Sequence, residues 1–120
     1  MRLAKVAELL DATPVNPGCD MNLEISCGGA ADLMSDVLAF THPGAVLLTG
    51  LTNPQVVRTS DVAGVAAIVF VRGKVPPMET RQLALEVGIP LLRTALTMFD
   101  ACGRLYEAGL RYSSGEPVAL

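Results

Sequence analysis

A chain of 120 residues, with 51% hydrophobic side chains and a formal net charge of −3, has the length of one domain with a single core. The negative balance, the absence of Trp and the presence of only three Phe and two Tyr exclude both a basic phosphate-tracking surface and a base-stacking platform, so no nucleic-acid partner is expected. No apolar run approaches the roughly 20 residues of a membrane span, and residues 1–8 read as an amphipathic helix instead of a signal core. A cytoplasmic protein without membrane contact is the expectation.

In chain order, residues 1–11 form a short helix packed on the body. Residues 12–22 hold Pro14, Pro17 and Gly18 and read as loop, with an edge strand as the alternative. Four short apolar runs follow, over residues 23–27, 45–49, 66–71 and 89–92, each the length of a buried strand. Helical patterns lie between them. Asp32 is placed to cap a helix that carries Leu33, Val37 and Phe40 on one stripe. Asn53-Pro54 opens the next, with Pro54 at the first helical position, where its missing N–H costs nothing, and that helix runs to about Val62. Pro77-Met78-Glu79 starts a third, with Leu83 and Val87 on its buried face and Gly88 as its stop. Thr97-Met98-Phe99-Asp100 resembles a capping box with Asp in place of Glu, leading a helix to about Ala108 that Gly109 ends. Residues 1–110 make the domain, and residues 111–120, polar over Ser113 to Pro117, are expected to form a flexible tail.

Strands that are apolar along nearly their whole length and alternate with helices indicate a parallel sheet covered on both faces. The expected fold is α/β: a three-layer α/β/α sandwich with a small, mainly parallel sheet of about four strands. In such sheets ligands bind beyond the carboxyl ends of the strands. The tips read as Ser26-Cys27-Gly28-Gly29, Thr49-Gly50-Leu51-Thr52-Asn53, Arg72-Gly73-Lys74 and Arg93-Thr94. Three of the nine Lys and Arg residues thereby fall on one edge. The candidate ligand-binding set is Cys27, Gly28, Gly29, Thr49, Gly50, Thr52, Asn53, Arg72, Gly73, Lys74, Arg93 and Thr94. An anion is the expected ligand because the helix N-termini already make that edge electropositive. Equally, charged residues on exposed loops need no ligand.

Several chemistries lack their residues. Neither G-x-x-x-x-G-K-[ST] nor G-x-G-x-x-G is present. The sole histidine, His42, precedes a strand and so lies on the edge opposite the tips, which leaves no Ser or Cys with an obvious base. Cys19, Cys27 and Cys102 are an odd number in no metal-ligand spacing, and reduced thiols are expected. The carboxylates are scattered over caps and helix faces, so no metal site is expected. Cys27, before a helix N-terminus, is the one candidate for a reactive thiol; a buried strand-end residue is the other reading of it. No catalytic residues are assigned, and no cofactor is indicated.

The stretches Pro43-Gly44-Ala45-Val46-Leu47-Leu48-Thr49-Gly50, Ala67-Ile68-Val69-Phe70-Val71-Arg72-Gly73 and Val87-Gly88-Ile89-Pro90-Leu91-Leu92-Arg93-Thr94, with Thr97-Met98-Phe99 after them, resemble the DRTGG domain, which is similar to the N-terminal domain of HPr kinase/phosphorylase. The likeness spans roughly residues 1–110. It implies a regulatory or interaction domain without a catalytic role. Where the family has Asp-Arg after the second strand this chain has Asn53-Pro54, and where it has Thr-Gly-Gly after the third it has Arg72-Gly73 followed by Lys74. A pocket built there would have gained positive charge. The expected function is a non-catalytic ligand-sensing domain, a homodimer binding a small anionic metabolite or nucleotide at the strand tips. The alternatives are a structural subunit docking onto a larger enzyme, with hydrogenase association suggested by the resemblance, and a cysteine-dependent or phosphoryl-transfer enzyme.

Overall fold

A computed structural model describes residues 1–113. The first helix, α1 (Leu3–Leu10), buries Leu3, Val6 and Leu10, the spacing that puts apolar side chains on one face. Its first-turn N–H groups, which have no partner inside the helix, donate to the carbonyls of Leu23 and Met21 at 2.9 and 2.8 Å from Leu3 and Ala4. This backbone pairing corrects the first expected strand. Residues 21–25 are spent on the N-terminal segment, with Arg2 and Glu24 forming an isolated antiparallel bridge, and the sheet strand starts only at Cys27.

The sheet has five strands in the order β1-β5-β4-β3-β2: β1 (Thr13–Pro14), β2 (Cys27–Ala30), β3 (Ala45–Thr49), β4 (Ala67–Phe70) and β5 (Leu91–Arg93). The last four run parallel. β1 pairs antiparallel with β5, Thr13 opposite Arg93 and Pro14 opposite Leu92, so the ambiguous segment contributes an edge strand of two residues. Pro14 is tolerated because an edge strand can leave one N–H side unused.

Every residue of β3 and β4 is buried, as a sheet covered on both faces requires. Their side chains alternate between two cores. Val46, Leu48, Ala67 and Val69 face α1 and α5 (Met98–Glu107) with Leu3, Leu10 and Leu105. Leu47, Ile68 and Phe70 face the other layer with Val37, Val56 and Ala84, which belong to α2 (Met34–Phe40), α3 (Pro54–Ala63) and α4 (Met78–Val87). Three layers result.

The helix signals act largely as read. Pro54 occupies the first turn of α3, Gly64 and Gly88 end α3 and α4 in the left-handed conformation, and the Thr97 hydroxyl accepts from the Asp100 N–H at 3.2 Å. Leu83 and Val87 are only partly buried, while Thr80 and Ala84 carry the buried face of α4. Asp32 is not a cap: α2 begins after Leu33 with no side-chain cap bond.

Of the expected tail, residues 114–120 lie outside the described residues. Arg111 and Tyr112 make contacts: the Arg111 carbonyl accepts from the Gly28 N–H at 2.9 Å, the Tyr112 hydroxyl donates to the Phe40 carbonyl, and its ring meets His42 edge-on with centroids 4.7 Å apart.

Candidate functional site

The carboxyl ends of β3, β4 and β5 are laced into one rim by their own backbone. Thr49 is buried at the end of β3, and its hydroxyl accepts from the Leu51 N–H at 3.2 Å. The Thr80 hydroxyl of α4 donates to the Thr52 carbonyl at 2.6 Å, which fastens the loop before α3. At the end of β4, Lys74 N–H donates to the Val71 carbonyl at 3.3 Å, closing a turn whose central residues Arg72 and Gly73 both have positive φ, 58° and 66°.

Such a turn favours Gly or Asn at both central positions, and a bulky side chain there costs roughly 1–2 kcal/mol. Arg72 is held against that cost by the neighbouring tip. Its N–H donates to the Leu96 carbonyl at 2.8 Å, Gly73 N–H donates to the Thr94 carbonyl at 2.7 Å, and the Arg93 guanidinium donates to the Gly73 carbonyl at 2.9 Å. The side chain of Arg72 thereby lies over Gly50. A methyl group on Gly50 would collide with the Arg72 Nη2 atom, so glycine is what lets the guanidinium rest on the backbone of the β3 tip.

Asp32, two residues past β2, completes the arrangement. One of its carboxylate oxygens, Oδ1, accepts from the Gly50 N–H at 2.7 Å and from the Thr49 hydroxyl at 3.1 Å. The same oxygen lies 3.5 Å from where a Gly50 Cβ would stand, so carboxylate and guanidinium converge on one glycine. They form no ion pair; the ion pairs among the described residues lie elsewhere, Met1–Glu24 and Lys5–Glu8. Sequence reasoning assigned Asp32 to a helix cap and so left it out of the site. The missed signal was its place just beyond the tip of β2, level with Thr49-Gly50 on the adjacent strand.

Thr49, Gly50, Thr52, Asn53, Arg72, Gly73, Lys74, Arg93 and Thr94 all sit at this end of the sheet, with different tasks. Arg72, Lys74, Asn53 and Arg93 are exposed. Thr94 is buried, and its hydroxyl donates to the Leu10 carbonyl at 2.6 Å, so it ties α1 to the rim and faces no solvent. Gly73 has both its N–H and its carbonyl engaged.

Cys27, Gly28 and Gly29 do not join them. All three lie within β2, paired with Ala45, Val46 and Leu47, because the strand starts four residues later than its apolar run suggests. The glycine pair is thus strand and not a phosphate-cradling turn. A Cβ on Gly28 would stand 3.1 Å from Leu110 Cδ2, and Gly28 and Gly29 line an apolar cavity of about 210 Å³ with Leu48, Leu105 and Leu110. Cys27 is fully buried at the entry end of the strand, its Sγ 3.8 Å from the Pro43 carbonyl oxygen. No helix N-terminus faces it, since α2 begins only at Met34. Burial pushes the Cys27 thiol above its ordinary range, and the Cys102 thiol likewise. That environment suppresses the thiolate a nucleophile requires. Among the described residues there is no group of three or more His, Cys, Asp or Glu that could hold a metal ion, and no helix is long and apolar enough to cross a membrane.

The architecture is that of a small α/β/α domain with a mainly parallel sheet and a polar rim at the strand ends. No protein-family model matches the chain, and no curated protein matches it. Among solved structures, its fold is similar to that of the CBS and DRTGG domains of the regulatory region of Clostridium perfringens pyrophosphatase, a structure in complex with the activator diadenosine tetraphosphate. The TM-score is 0.74 at 16% sequence identity, and the match covers 94% of this chain and 48% of that one. A DRTGG-like fold, expected from the strand sequences, is therefore shared in three dimensions.

Proposed function

We propose that the chain is a non-catalytic regulatory domain that senses a small anionic metabolite or nucleotide on the rim formed by Asn53, Arg72, Lys74 and Arg93. The observation that carries this reading is the Arg72 guanidinium, set by a strained turn over Gly50 and not used in an ion pair among the described residues. Backbone strain that the surrounding structure maintains is characteristic of functional positions, and a guanidinium is suited to planar, bidentate recognition of phosphate or carboxylate. The similar pyrophosphatase regulatory region is described with a dinucleotide activator bound, which favours a nucleotide among the anions.

A thermal-shift screen with AMP, ATP, diadenosine tetraphosphate and inorganic pyrophosphate tests the proposal, since a ligand at 100 times its Kd adds about 2.7 kcal/mol to the folded state. At least one of them is expected to raise Tm at millimolar concentration. Gly50→Ala should abolish that rise while leaving the Tm of the free protein unchanged, because only the end of a flexible side chain has to move. A wild-type protein that none of the four stabilises would reject the reading, as would an unaltered response in Gly50→Ala.

A second reading, self-association through α5, has its own observation. Phe99 and Tyr106 are 87% and 62% exposed, and Gly103 between them has open space where a side chain would project. Two copies of this helix can approach closely at the glycine, with the aromatic rings packing on either side, a self-complementary patch of the kind that makes two-fold dimers. Sedimentation velocity across the micromolar range should show a concentration-dependent dimer that Phe99→Glu dissociates. A wild-type protein that stays monomeric throughout removes this reading.

A further inference from the structure

We infer that the ligand of this rim must carry hydroxyl donors beside its anionic group, and that Asp32 is the residue that enforces the requirement. The inference rests on the anion-sensing reading above and narrows it to hydroxyl-bearing phosphate esters, the class of sugar phosphates and nucleotides.

The argument starts from what an ionised carboxylate can do, which is accept hydrogen bonds and nothing else. Asp32 is exposed on the rim. Its Oδ1 is fixed by the Gly50 N–H and the Thr49 hydroxyl, two donors from a buried strand end, so the group is held in place and does not sweep through solvent. Its other oxygen, Oδ2, accepts no hydrogen bond from the described residues. Among the described residues Asp32 caps no helix and pairs with no cation, so Oδ1 alone carries its structural contacts.

Arg72 converges on the same glycine and can only donate. A molecule seated there meets a donor and an acceptor side by side. Bare pyrophosphate satisfies the guanidinium and is repelled by the carboxylate, since like charges brought together disfavour a complex. A phosphate ester of a polyol satisfies both: its phosphate oxygens face Arg72 and the neighbouring Lys74, and a ring hydroxyl donates to Asp32 Oδ2. The same division of labour, an acidic side chain on ribose hydroxyls beside a phosphate site, is used by dinucleotide-binding α/β folds.

Isothermal titration calorimetry of the whole chain with AMP, 2′,3′-dideoxy-AMP, ribose 5-phosphate and inorganic pyrophosphate decides the matter. AMP, ribose 5-phosphate or both are expected to bind at least about tenfold more tightly than pyrophosphate, and AMP more tightly than its dideoxy analogue, a margin that one well-made polar contact supplies. Binding of AMP alone assigns the hydroxyls to a nucleotide; binding of ribose 5-phosphate assigns them to the sugar phosphate itself. Asp32→Asn keeps an oxygen to accept from Gly50 and Thr49 but loses the charge, so pyrophosphate should gain affinity and the margin should collapse. Pyrophosphate binding the wild type as tightly as the esters, or dideoxy-AMP matching AMP, overturns this inference while leaving the anion-sensing reading intact. Binding of none of the four overturns this inference, and the anion-sensing reading falls with it if ATP and diadenosine tetraphosphate also leave Tm unchanged. The wild-type comparison decides the question even if Asp32→Asn fails to fold.

Discussion

Phe70→Ala is expected to destabilise the domain by about 3–5 kcal/mol, the cost of removing a fully buried aromatic side chain and leaving a cavity behind. Phe70 is 0% exposed at the end of the central strand β4, in the core shared with Val37, Val56 and Ala84. It is the largest of the side chains completely removed from solvent. Its layer is roofed by α2, α3 and α4, and each of those helices contributes only a few buried residues, so collapse around the vacancy has little to draw on. Total stabilities of domains are about 5–15 kcal/mol, and the variant should therefore show a much lower urea midpoint with an unchanged slope. A loss below about 1 kcal/mol would mean that the second core is not organised around this ring.

Arg72→Gly is expected to separate stability from binding. Arginine holds a left-handed conformation with φ 58°, which glycine adopts without a steric penalty. Relief of roughly 1–2 kcal/mol of strain is partly offset by the greater freedom of the unfolded chain, worth about 0.4–1 kcal/mol. The variant should then be as stable as the parent or more stable by up to about 1.5 kcal/mol. Loss of the guanidinium should at the same time weaken anion binding at least about tenfold, or 1.4 kcal/mol. Chemical denaturation and calorimetric titration of the same preparation measure both. A destabilised Arg72→Gly would show that the arginine side chain supports the fold itself, and undiminished binding would show that the ligand contacts other groups.

The layered α/β architecture could be read from the sequence because β3 and β4 are buried on both faces and so appear as unbroken apolar runs, and because Pro54, Gly88 and Thr97 mark helix boundaries by local chemistry alone. The first strand could not be placed in this way. Leu23 and Ile25 are apolar like any strand residue, yet residues 21–25 pair with the N-terminal segment, a preference set by α1's unsatisfied N–H groups 20 residues away. Cys27, Gly28 and Gly29 were displaced from the rim by that one shift. The edge strand β1 was equally hard to see, since its two residues include a proline and pair only with β5, nearly 80 residues on. At the site, Arg72 and Lys74 were visible as cations at a strand end, whereas Asp32 was hidden by its second use as a plausible cap. The choice between the two uses is made by Gly50 and Thr49 on a neighbouring strand, a tertiary fact that spacing along the chain does not carry.

The hydrogen bonds from Arg72 and Gly73 to the Leu96 and Thr94 carbonyls, with Arg93 closing back on Gly73, bear on how a small molecule would be received. The main chain at this edge is braced by its own hydrogen bonds, so a molecule binding as proposed would meet a template and have little loop to freeze. The entropy lost on the protein side would then fall mainly on the outer ends of a few long side chains such as Lys74, at about 0.5–1.5 kcal/mol each. Ordering of the protein would then take little from the contact energy, which leaves the ligand's own lost freedom and the desolvation of polar groups as the main costs.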